Sequence, residues 1–108
     1  LVGMIRGGKK SGKTVMLRAD IDALPIEEHA DVPFASTNGK MHACGHDCHM
    51  AMLLGAVKIL NEIKDELDGD VKILFQSAEE SCYGAKYYVE KGIVFLLVCV
   101  PKLVQLLQ

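Results

Sequence analysis

The 108-residue sequence has little net charge and no long apolar run, and each of these shortages excludes a class of protein. Lysine and arginine number 12 against 14 aspartates and glutamates, giving a formal net charge of −2, which argues against a general nucleic-acid binder. The densest apolar run, 93–100, is far shorter than the ~20 residues needed to span a bilayer. Because 50% of the residues are apolar, the composition is that of a folded chain of at most one domain.

Cysteine is also scarce: the four cysteines lie at positions 44, 48, 82 and 99 and form no C-x-x-C pair. The start of the sequence lacks the charged region, apolar core and cleavage site of a signal peptide. We therefore expect no disulfide framework and a reducing, cytoplasmic compartment. Since the chain begins at Leu1 rather than at a methionine and is short for an enzyme, we expect a fragment of a longer protein.

Hydrophobic periodicity predicts a strand, a long loop, a helix, a strand and a second helix, after a possible short strand at 1–6. The strands are predicted at 15–20 and 71–75, the loop at 27–41, and the helices from Asp47 to Leu67 and over 84–90. This order predicts a βαβ unit with two parallel strands and a right-handed crossover.

Polar residues follow the predicted strands and precede the first helix. Asp20 ends the first strand, Glu79 and Glu80 follow the second, and Cys44 and His46 lie in the loop that enters the helix. Parallel strands place their carboxyl ends at one edge of a sheet, where open α/β folds bind ligands. We therefore expect these five residues to converge there.

The segment 41–49, M-H-A-C-G-H-D-C-H, holds three histidines and two cysteines. Thiolate and imidazole are preferred ligands of zinc and related ions, and C-x-H spacing lets one loop present two donors, with Asp47 able to orient an imidazole. The alternative is that the cysteines are buried thiols and the histidines are surface or capping residues. The density of the cluster favours a metal site.

The adjacent carboxylates of Glu79 and Glu80 are costly to hold together unless a positive charge shares their site. A metal would supply that charge, with one glutamate as ligand and the other as general base towards a water of lowered pKa. The alternative is a solvated pair at a helix N-terminus. The pattern D-I-D leaves open whether Asp20 or Asp22 ligates an ion, fixes the orientation of a ligand, or only serves solubility or a turn.

Residues 7–14, G-G-K-K-S-G-K-T, match the phosphate-loop pattern G-x-x-x-x-G-K-[ST]. A nucleotide-binding module is therefore an alternative function, and it requires a helix directly after the loop. Residues 15–17 favour a strand instead, and Pro25 comes too early for a normal helix. We favour a lysine-rich hairpin turn for this segment.

Three segments together resemble a known family. They are L-R-A-D-I-D-A-L-P-I-E-E (17–28), M-H-A-C-G-H-D-C-H-M-A-M-L-L-G-A (41–56) and F-Q-S-A-E-E (75–80). They are similar to segments of the metal-dependent amidohydrolases of the aminoacylase/carboxypeptidase type, which include hippurate hydrolase, auxin-conjugate hydrolases and N-acetyl-diaminopimelate deacetylase. The resemblance covers residues 1–93, and the middle segment is the most specific.

The resemblance implies that Cys44, His46 and Glu80 are metal ligands, that Glu79 is the general base, and that Asp20 is the aspartate beside the metals. It also implies hydrolysis of the amide bond of N-acyl amino acids or related small conjugates, with two zinc or manganese ions in the intact enzyme. His42 and His49 match the middle segment too, and supporting roles are expected for them.

The implied fold is α/β: a truncated three-layer sandwich with βαβ units and a mostly parallel sheet. We expect residues 1–93 to form part of the catalytic domain and 94–108 to be a divergent apolar tail, which would associate, including as a homo-oligomer, unless it packs back. No histidine follows His49, where the family supplies further ligands, so an inert structural fragment is a third alternative. The expected partner is a small N-acyl amino acid substrate. Binding to nucleic acid or to a membrane is not expected.

Overall fold

The computed structural model describes residues 1–94. It contains three strands and two α-helices, with a short 3₁₀ turn after the first helix. In chain order these elements are β1 (Val2–Ile5), β2 (Thr14–Asp20), α1 (His46–Glu62), the 3₁₀ turn (Lys64–Glu66), β3 (Asp70–Gln76) and α2 (Gly84–Glu90). The predicted strands and helices are all present, so the α/β class is confirmed.

The three strands form one sheet in the order β1-β3-β2. β2 is parallel to β3, with Thr14 opposite Asp70 and Asp20 opposite Gln76, which confirms the predicted βαβ pairing. β1 is antiparallel to β3, so the sheet is mixed rather than mostly parallel. Because β3 lies between β1 and β2, the hairpin turn expected for residues 7–14 is wrong: the segment between β1 and β2 crosses the amino end of β3.

Side chains of β3 alternate between two hydrophobic clusters, one on each face of the sheet. The cluster beneath α1 contains Ile5, Ala19, Leu53, Val71 and Ile73. The cluster on the opposite face contains Leu74, Tyr88 of α2, and Val94. Helices therefore cover the sheet from both sides, as expected for part of a three-layer sandwich.

Helix α1 ends at Glu62, five residues before the predicted end at Leu67. The carbonyl oxygens of Lys64 and Leu67 accept hydrogen bonds from the backbone N–H groups of Gly8 and Lys9, at 2.9 and 3.1 Å. The Lys64 carbonyl also accepts the Leu67 N–H at 3.2 Å, so the chain closes a 3₁₀ turn tied to a distant loop rather than continuing the α-helix. Leu67 still packs against the core, which explains why its periodicity resembled helix.

The predicted loop at residues 27–41 contains no helix or strand. A single antiparallel bridge joins Leu24 to Met41 and was not predicted. Within residues 1–94, no helix has the length and apolarity to cross a membrane. The expected tail lies outside the described residues from position 95 onward.

Candidate metal centre

The candidate site lies at the carboxyl ends of the two parallel strands. Asp20 and Gln76 end β2 and β3 and lie opposite each other in the register. Helix α1 begins beside them at His46, and the turn that carries Glu79 and Glu80 follows β3. The predicted convergence of separate segments at this edge is therefore present in the structure.

Cys44, His46 and Glu80 form a group whose potential ligand atoms all lie within 4.8 Å of one another. Thiolate sulfur, imidazole nitrogen and carboxylate oxygen are the three donor types that protein zinc sites use. His46 is buried, while Cys44 and Glu80 are more accessible, so the group is open on one side. A cluster of this kind can hold a divalent cation and leave room for another ligand.

A main-chain carbonyl of another residue, Asp22, holds the His46 ring. Its Nδ1 lies 3.0 Å from the main-chain carbonyl oxygen of Asp22. A carbonyl oxygen only accepts hydrogen bonds, so Nδ1 carries the hydrogen and the neutral ring leaves the Nε2 lone pair free. This Nε2 lies 3.7 Å from Glu80 Oε1, 3.8 Å from Glu79 Oε2 and 3.8 Å from Asp20 Oδ2.

Asp20 is buried, with 7% of its surface exposed, and its carboxylate is fully engaged. Oδ1 lies 2.5 Å from His49 Nδ1, and Oδ2 lies 3.4 Å from the Arg18 guanidinium. Burial opposes ionisation of this carboxyl, but hydrogen bonds from His49 and from the backbone, together with the charge of Arg18, act against it, and the pKa of Asp20 is lowered. Asp20, His46 and His49 also form a second group with potential ligand atoms within 4.8 Å.

A glycine at the start of α1 lets one short loop present both the Cys44 sulfur and the His46 imidazole. Gly45 has φ 85°, in the left-handed region that glycine adopts readily. Its N–H donates to the carbonyl of His42 at 2.9 Å, closing a tight turn. The turn directs Cys44 and His46 to the same ion-sized space, as the C-x-H spacing suggested.

The turn that carries Glu79 and Glu80 is built from close backbone contacts. Ala78 and Cys82 both have φ 60°, and the N–H of Gly84 donates to the carbonyl of Ala78 at 3.0 Å. A Cβ on Gly84 would lie 2.0 Å from the Ser77 carbonyl oxygen. Helix α2 begins only at Gly84, so the alternative that the glutamate pair opens a helix is wrong.

Asp22, left open by the sequence, contacts two of the site's segments. Its Oδ2 accepts a hydrogen bond from the backbone N–H of Glu80 at 3.0 Å. Burial raises the pKa of Asp22, but the N–H groups of Glu80 and Glu79 outweigh it, so the pKa is lowered. Asp47, suggested as an orienting residue, makes no side-chain hydrogen bond within the described part of the chain; the Asp22 carbonyl holds His46 instead.

Two further contacts were missed at the sequence level. Arg18 donates to Gln76 Oε1 at 2.9 Å, which links the ends of the two parallel strands. The ring of His49 stacks on that of His46, with centroids 5.6 Å apart. The i, i+3 spacing of these histidines on α1 was the available signal for the stacking.

The cluster is crowded with negative charge. Carboxylates from Asp20, Asp22, Glu79 and Glu80 surround His46. A hydrogen bond to Glu80 and the charge of that carboxylate raise the pKa of the Cys44 thiol. Since like charges this close oppose one another's ionisation, a divalent cation would relieve the repulsion, and the donor set fits such an ion.

The phosphate-loop alternative at residues 7–14 fails in the structure. Thr14 begins strand β2, so no helix follows the loop. The N–H groups of Gly8 and Lys9 already donate to carbonyl oxygens, and that of Gly7 donates to Asp70 Oδ1 at 3.1 Å. A phosphate-binding loop needs such N–H groups free to hold the anion.

Comparison with known proteins gives a consistent result. Residues 16–104 match the family described as peptidase family M20/M25/M40. The chain is 54% identical over 97 residues to thermostable carboxypeptidase 2 of Saccharolobus solfataricus, covering 87% of this chain and 24% of that protein. It is 54% identical over 86 residues to N-acetyl-L-cysteine deacetylase of Bacillus subtilis, covering 79% of this chain and 21% of that protein.

A solved structure shows the same likeness. The crystal structure of a dinuclear metal-binding peptidase of the M20 family from Bacillus subtilis superposes with a TM-score of 0.80 at 46% identity. The match covers 85% of this chain and 26% of that one. The chain therefore spans about a quarter of the length of the relatives it matches.

Proposed function

Because the chain belongs to peptidase family M20/M25/M40, we propose that it is part of a metal-dependent hydrolase acting on the amide bond of N-acyl amino acids or related small conjugates. The similarity to a deacetylase of N-acetyl-L-cysteine supports this substrate class. The similarity to a dinuclear metal-binding peptidase supports a divalent metal as cofactor, which we propose to be zinc or manganese, two ions in the intact enzyme.

One observation carries the proposal: the potential ligand atoms of Cys44, His46 and Glu80 lie within 4.8 Å of one another. These residues come from the loop before α1, the first turn of α1 and the turn after β3. We propose that all three are metal ligands. The hydrogen on His46 Nδ1 supports this role, because it leaves Nε2 available as a donor.

A divalent cation held by these residues would polarise the scissile carbonyl and lower the pKa of the attacking water. We propose Glu79 as the general base, since its Oε2 lies 3.8 Å from His46 Nε2 at the open side of the cluster. Its carboxylate would accept a proton from water as the C–O bond forms and deliver it to the amine nitrogen as the C–N bond breaks. Water and amide thus give a carboxylate and a free amine.

Asp20 has a different proposed role, because its carboxylate is buried and already engaged by His49 and Arg18. It would stay ionised beside the cation and contribute fixed negative charge rather than move a proton, consistent with its lowered pKa. His49 would support the site by holding Asp20 in place. His42 is likewise proposed to support the site, and its Nδ1 is buried with no partner among residues 1–94.

The biological setting is also a proposal. Cys44, Cys48 and Cys82 are free and exposed, which supports a reducing, cytoplasmic compartment. The partner would be a small-molecule substrate, and association with a second copy would involve the apolar segment 94–108. We propose residues 1–93 as the part of the catalytic domain that this chain supplies.

Metal binding by the purified chain tests the site. Isothermal titration with zinc and with manganese is expected to show saturable binding, and Cys44→Ala is expected to weaken it by at least about 10-fold. Cys82→Ala removes another exposed thiol from outside the cluster and serves as the matched control. Absence of binding by the wild-type chain would overturn the proposal.

Hydrolysis of several N-acetyl amino acids with added metal tests the reaction. If the chain turns over, Glu79→Gln should retain metal and lose about 10²–10⁴-fold in rate, because an amide cannot serve as the base. If the chain binds metal without turnover, the inert-fragment alternative holds for catalysis and the metal site remains.

A further inference from the structure

His46 belongs to two groups of potential metal ligands, and only the first of them enters the proposed function. The first group is Cys44, His46 and Glu80. The second is Asp20, His46 and His49, whose potential ligand atoms also lie within 4.8 Å of one another. It combines the last residue of β2 with the first turn of α1. The residues around His46 therefore offer a cation two different sets of ligands.

Both groups use the same ring nitrogen of His46. The Nδ1 atom is engaged by the carbonyl oxygen of Asp22, at 3.0 Å. The Nε2 atom lies 3.7 Å from Glu80 Oε1 and 3.8 Å from Asp20 Oδ2, so it faces one carboxylate of each group. Because an imidazole nitrogen has a single lone pair, it binds one cation at a time. Occupation of the two groups through His46 is therefore mutually exclusive.

The second group contains no sulfur. Its donors are two imidazoles and one carboxylate, a set that holds catalytic zinc in other proteins and also suits Fe²⁺. Asp20 and His46 are buried, with 7% and 2% of their surface exposed, whereas the side chain of His49 is 48% exposed. The fold thus fixes two of the donors, and His49 completes the group from the solvent side.

His49 and Asp20 form a hydrogen bond with each other. His49 Nδ1 lies 2.5 Å from Asp20 Oδ1. Since an ionised carboxylate only accepts hydrogen bonds, Nδ1 carries the hydrogen in this arrangement. A cation bound by Asp20 and by His49 Nδ1 would take the place of that hydrogen, and the neutral ring would then carry its hydrogen on Nε2. The tautomer of His49 therefore reports which group holds the ion.

We propose that Asp20, His46 and His49 form an alternative cation site, which holds the ion when the sulfur of Cys44 is removed or blocked. With Cys44 intact, the first group holds the ion, because zinc prefers the softer thiolate ligand, and His49 keeps its hydrogen bond to Asp20. This inference rests on the proposed function, since it takes His46 as a metal ligand. It goes beyond that function by making Asp20 and His49 ligands of a second position.

Zinc titration of the full chain by calorimetry tests the alternative site. Cys44→Ala should still bind one zinc ion per chain, with an affinity about 10- to 100-fold below that of the wild type. Adding His49→Ala to this variant should cost at least about a further 10-fold, whereas His49→Ala alone should cost less than about 10-fold. Because Cys44 and His49 are both exposed, neither change removes a core side chain.

The ring ¹⁵N shifts of His49, measured by NMR, give a second readout that a purely supporting role would not move. Addition of zinc should leave the Nδ1–H tautomer unchanged in the wild type and convert it to Nε2–H in Cys44→Ala. His29→Ala in the Cys44→Ala background removes an exposed imidazole from a loop and is the matched control. No further loss of zinc affinity is expected from it.

The outcomes separate this inference from the proposed function. Absence of zinc binding by Cys44→Ala, with a wild type that binds zinc, would overturn the inference and leave the proposed function standing. Equal losses from His49→Ala with and without Cys44, or an unchanged His49 tautomer in zinc-loaded Cys44→Ala, would also overturn it. A wild type that binds no zinc would overturn the proposed function itself, and this inference with it.

Discussion

The two ends of the parallel pair β2 and β3 both carry glycine-containing segments, yet they use their polar groups in opposite ways. At the amino end, the N–H groups of residues 7–9 all bond to other parts of the chain and so serve the fold. At the carboxyl end, side chains of one charge sign crowd around His46, and Asp22 Oδ1 has no partner within residues 1–94. The comparison separates a segment whose backbone donors serve the fold from one whose charged side chains could hold a divalent ion.

A cavity of about 450 Å³ at the amino end illustrates the difference. Its lining includes Arg6, Lys10, Lys13 and Asp70. The guanidinium of Arg6 is already paired with the carboxylate of Asp70. Positive charge alone therefore does not make this end resemble a phosphate site, because a strand rather than a helix follows the loop and the N–H groups of residues 7–9 are occupied.

The largest expected loss of stability comes from adding a Cβ at a glycine that is packed against backbone, one at each end of the parallel pair. Gly84→Ala and Gly7→Ala each place a Cβ 2.0 Å from a carbonyl oxygen, that of Ser77 and that of Gly69 respectively. Each should lower the free energy of unfolding by about 3 kcal/mol, measured by chemical denaturation. Only Gly84→Ala should also weaken zinc binding under conditions where the variant is folded.

The control for this pair is Gly55→Ala, where a Cβ would meet nothing within 4 Å. Because alanine favours helix over glycine, this change should stabilise the chain by up to about 1 kcal/mol. Equal effects of Gly84→Ala and Gly7→Ala on zinc affinity would contradict the functional difference between the two ends.

Removing one arginine from each end sharpens the comparison. Arg18→Ala leaves the buried Oε1 of Gln76 without its donor, which should cost about 1–3 kcal/mol in unfolding free energy. Arg6→Ala removes a side chain that is 75% exposed, so its loss should be smaller. Thermal unfolding of both variants measures the two losses of stability. A larger loss in Arg6→Ala than in Arg18→Ala would contradict this expectation.

A smaller, pH-dependent effect is expected at Asp70. The Arg6 guanidinium, and then the Gly7 N–H, hold the pKa of this carboxyl below its usual range. Its ionised form therefore stabilises the folded state above the ordinary pKa of an aspartate, and that contribution is lost as the pH falls through the lowered value. Asp70→Asn should lower the melting temperature at neutral pH, and the difference from wild type should begin to shrink below about pH 4 and close as the pH passes the lowered pKa. A difference that persists in acid would argue against the ion pair as its cause.

The smallest expected effect is none at all. Lys13→Ala should leave nucleotide binding unchanged, because the wild-type chain is expected to show no saturable binding of ATP or GTP by equilibrium titration. Saturable binding that disappears in Lys13→Ala would restore the phosphate-loop alternative and contradict the backbone bonding seen at residues 7–9.

The sequence predicted the elements well because their signals are local. The spacing of Leu53, Val57 and Leu60 marked the buried face of α1, and the apolar run 71–75 marked the central strand. The antiparallel partner of β3 was not predicted, since a strand of four residues carries no information about its neighbour. The early end of α1 was missed because the residues after it form a 3₁₀ turn whose carbonyls also accept N–H groups from the distant loop at 8–9, which no local pattern shows.

The candidate site was likewise predictable where its signals are local in the sequence and not where it depends on contacts between distant segments. The density of cysteine and histidine in 41–49 and the pair Glu79–Glu80 indicated which residues would meet, and their proximity in the structure agrees with that expectation. Their roles as ligands and base remain predictions. The D-I-D pattern allowed Asp22 to orient a ligand, but no pattern indicated how it contacts these segments, because one contact uses a main-chain carbonyl and the other a main-chain N–H.

The carbonyl that holds His46 has a consequence for transplanting this centre. Main-chain oxygen is present whatever the codon at position 22, so no point mutation can delete it and no comparison of aligned side chains can detect it. The orientation of the His46 ring therefore depends on the backbone conformation of the residues that follow β2. Grafting residues 41–49 alone onto another scaffold would deliver an imidazole that is free to rotate, whereas a graft that also carried the chain through Leu24 would bring its restraint with it.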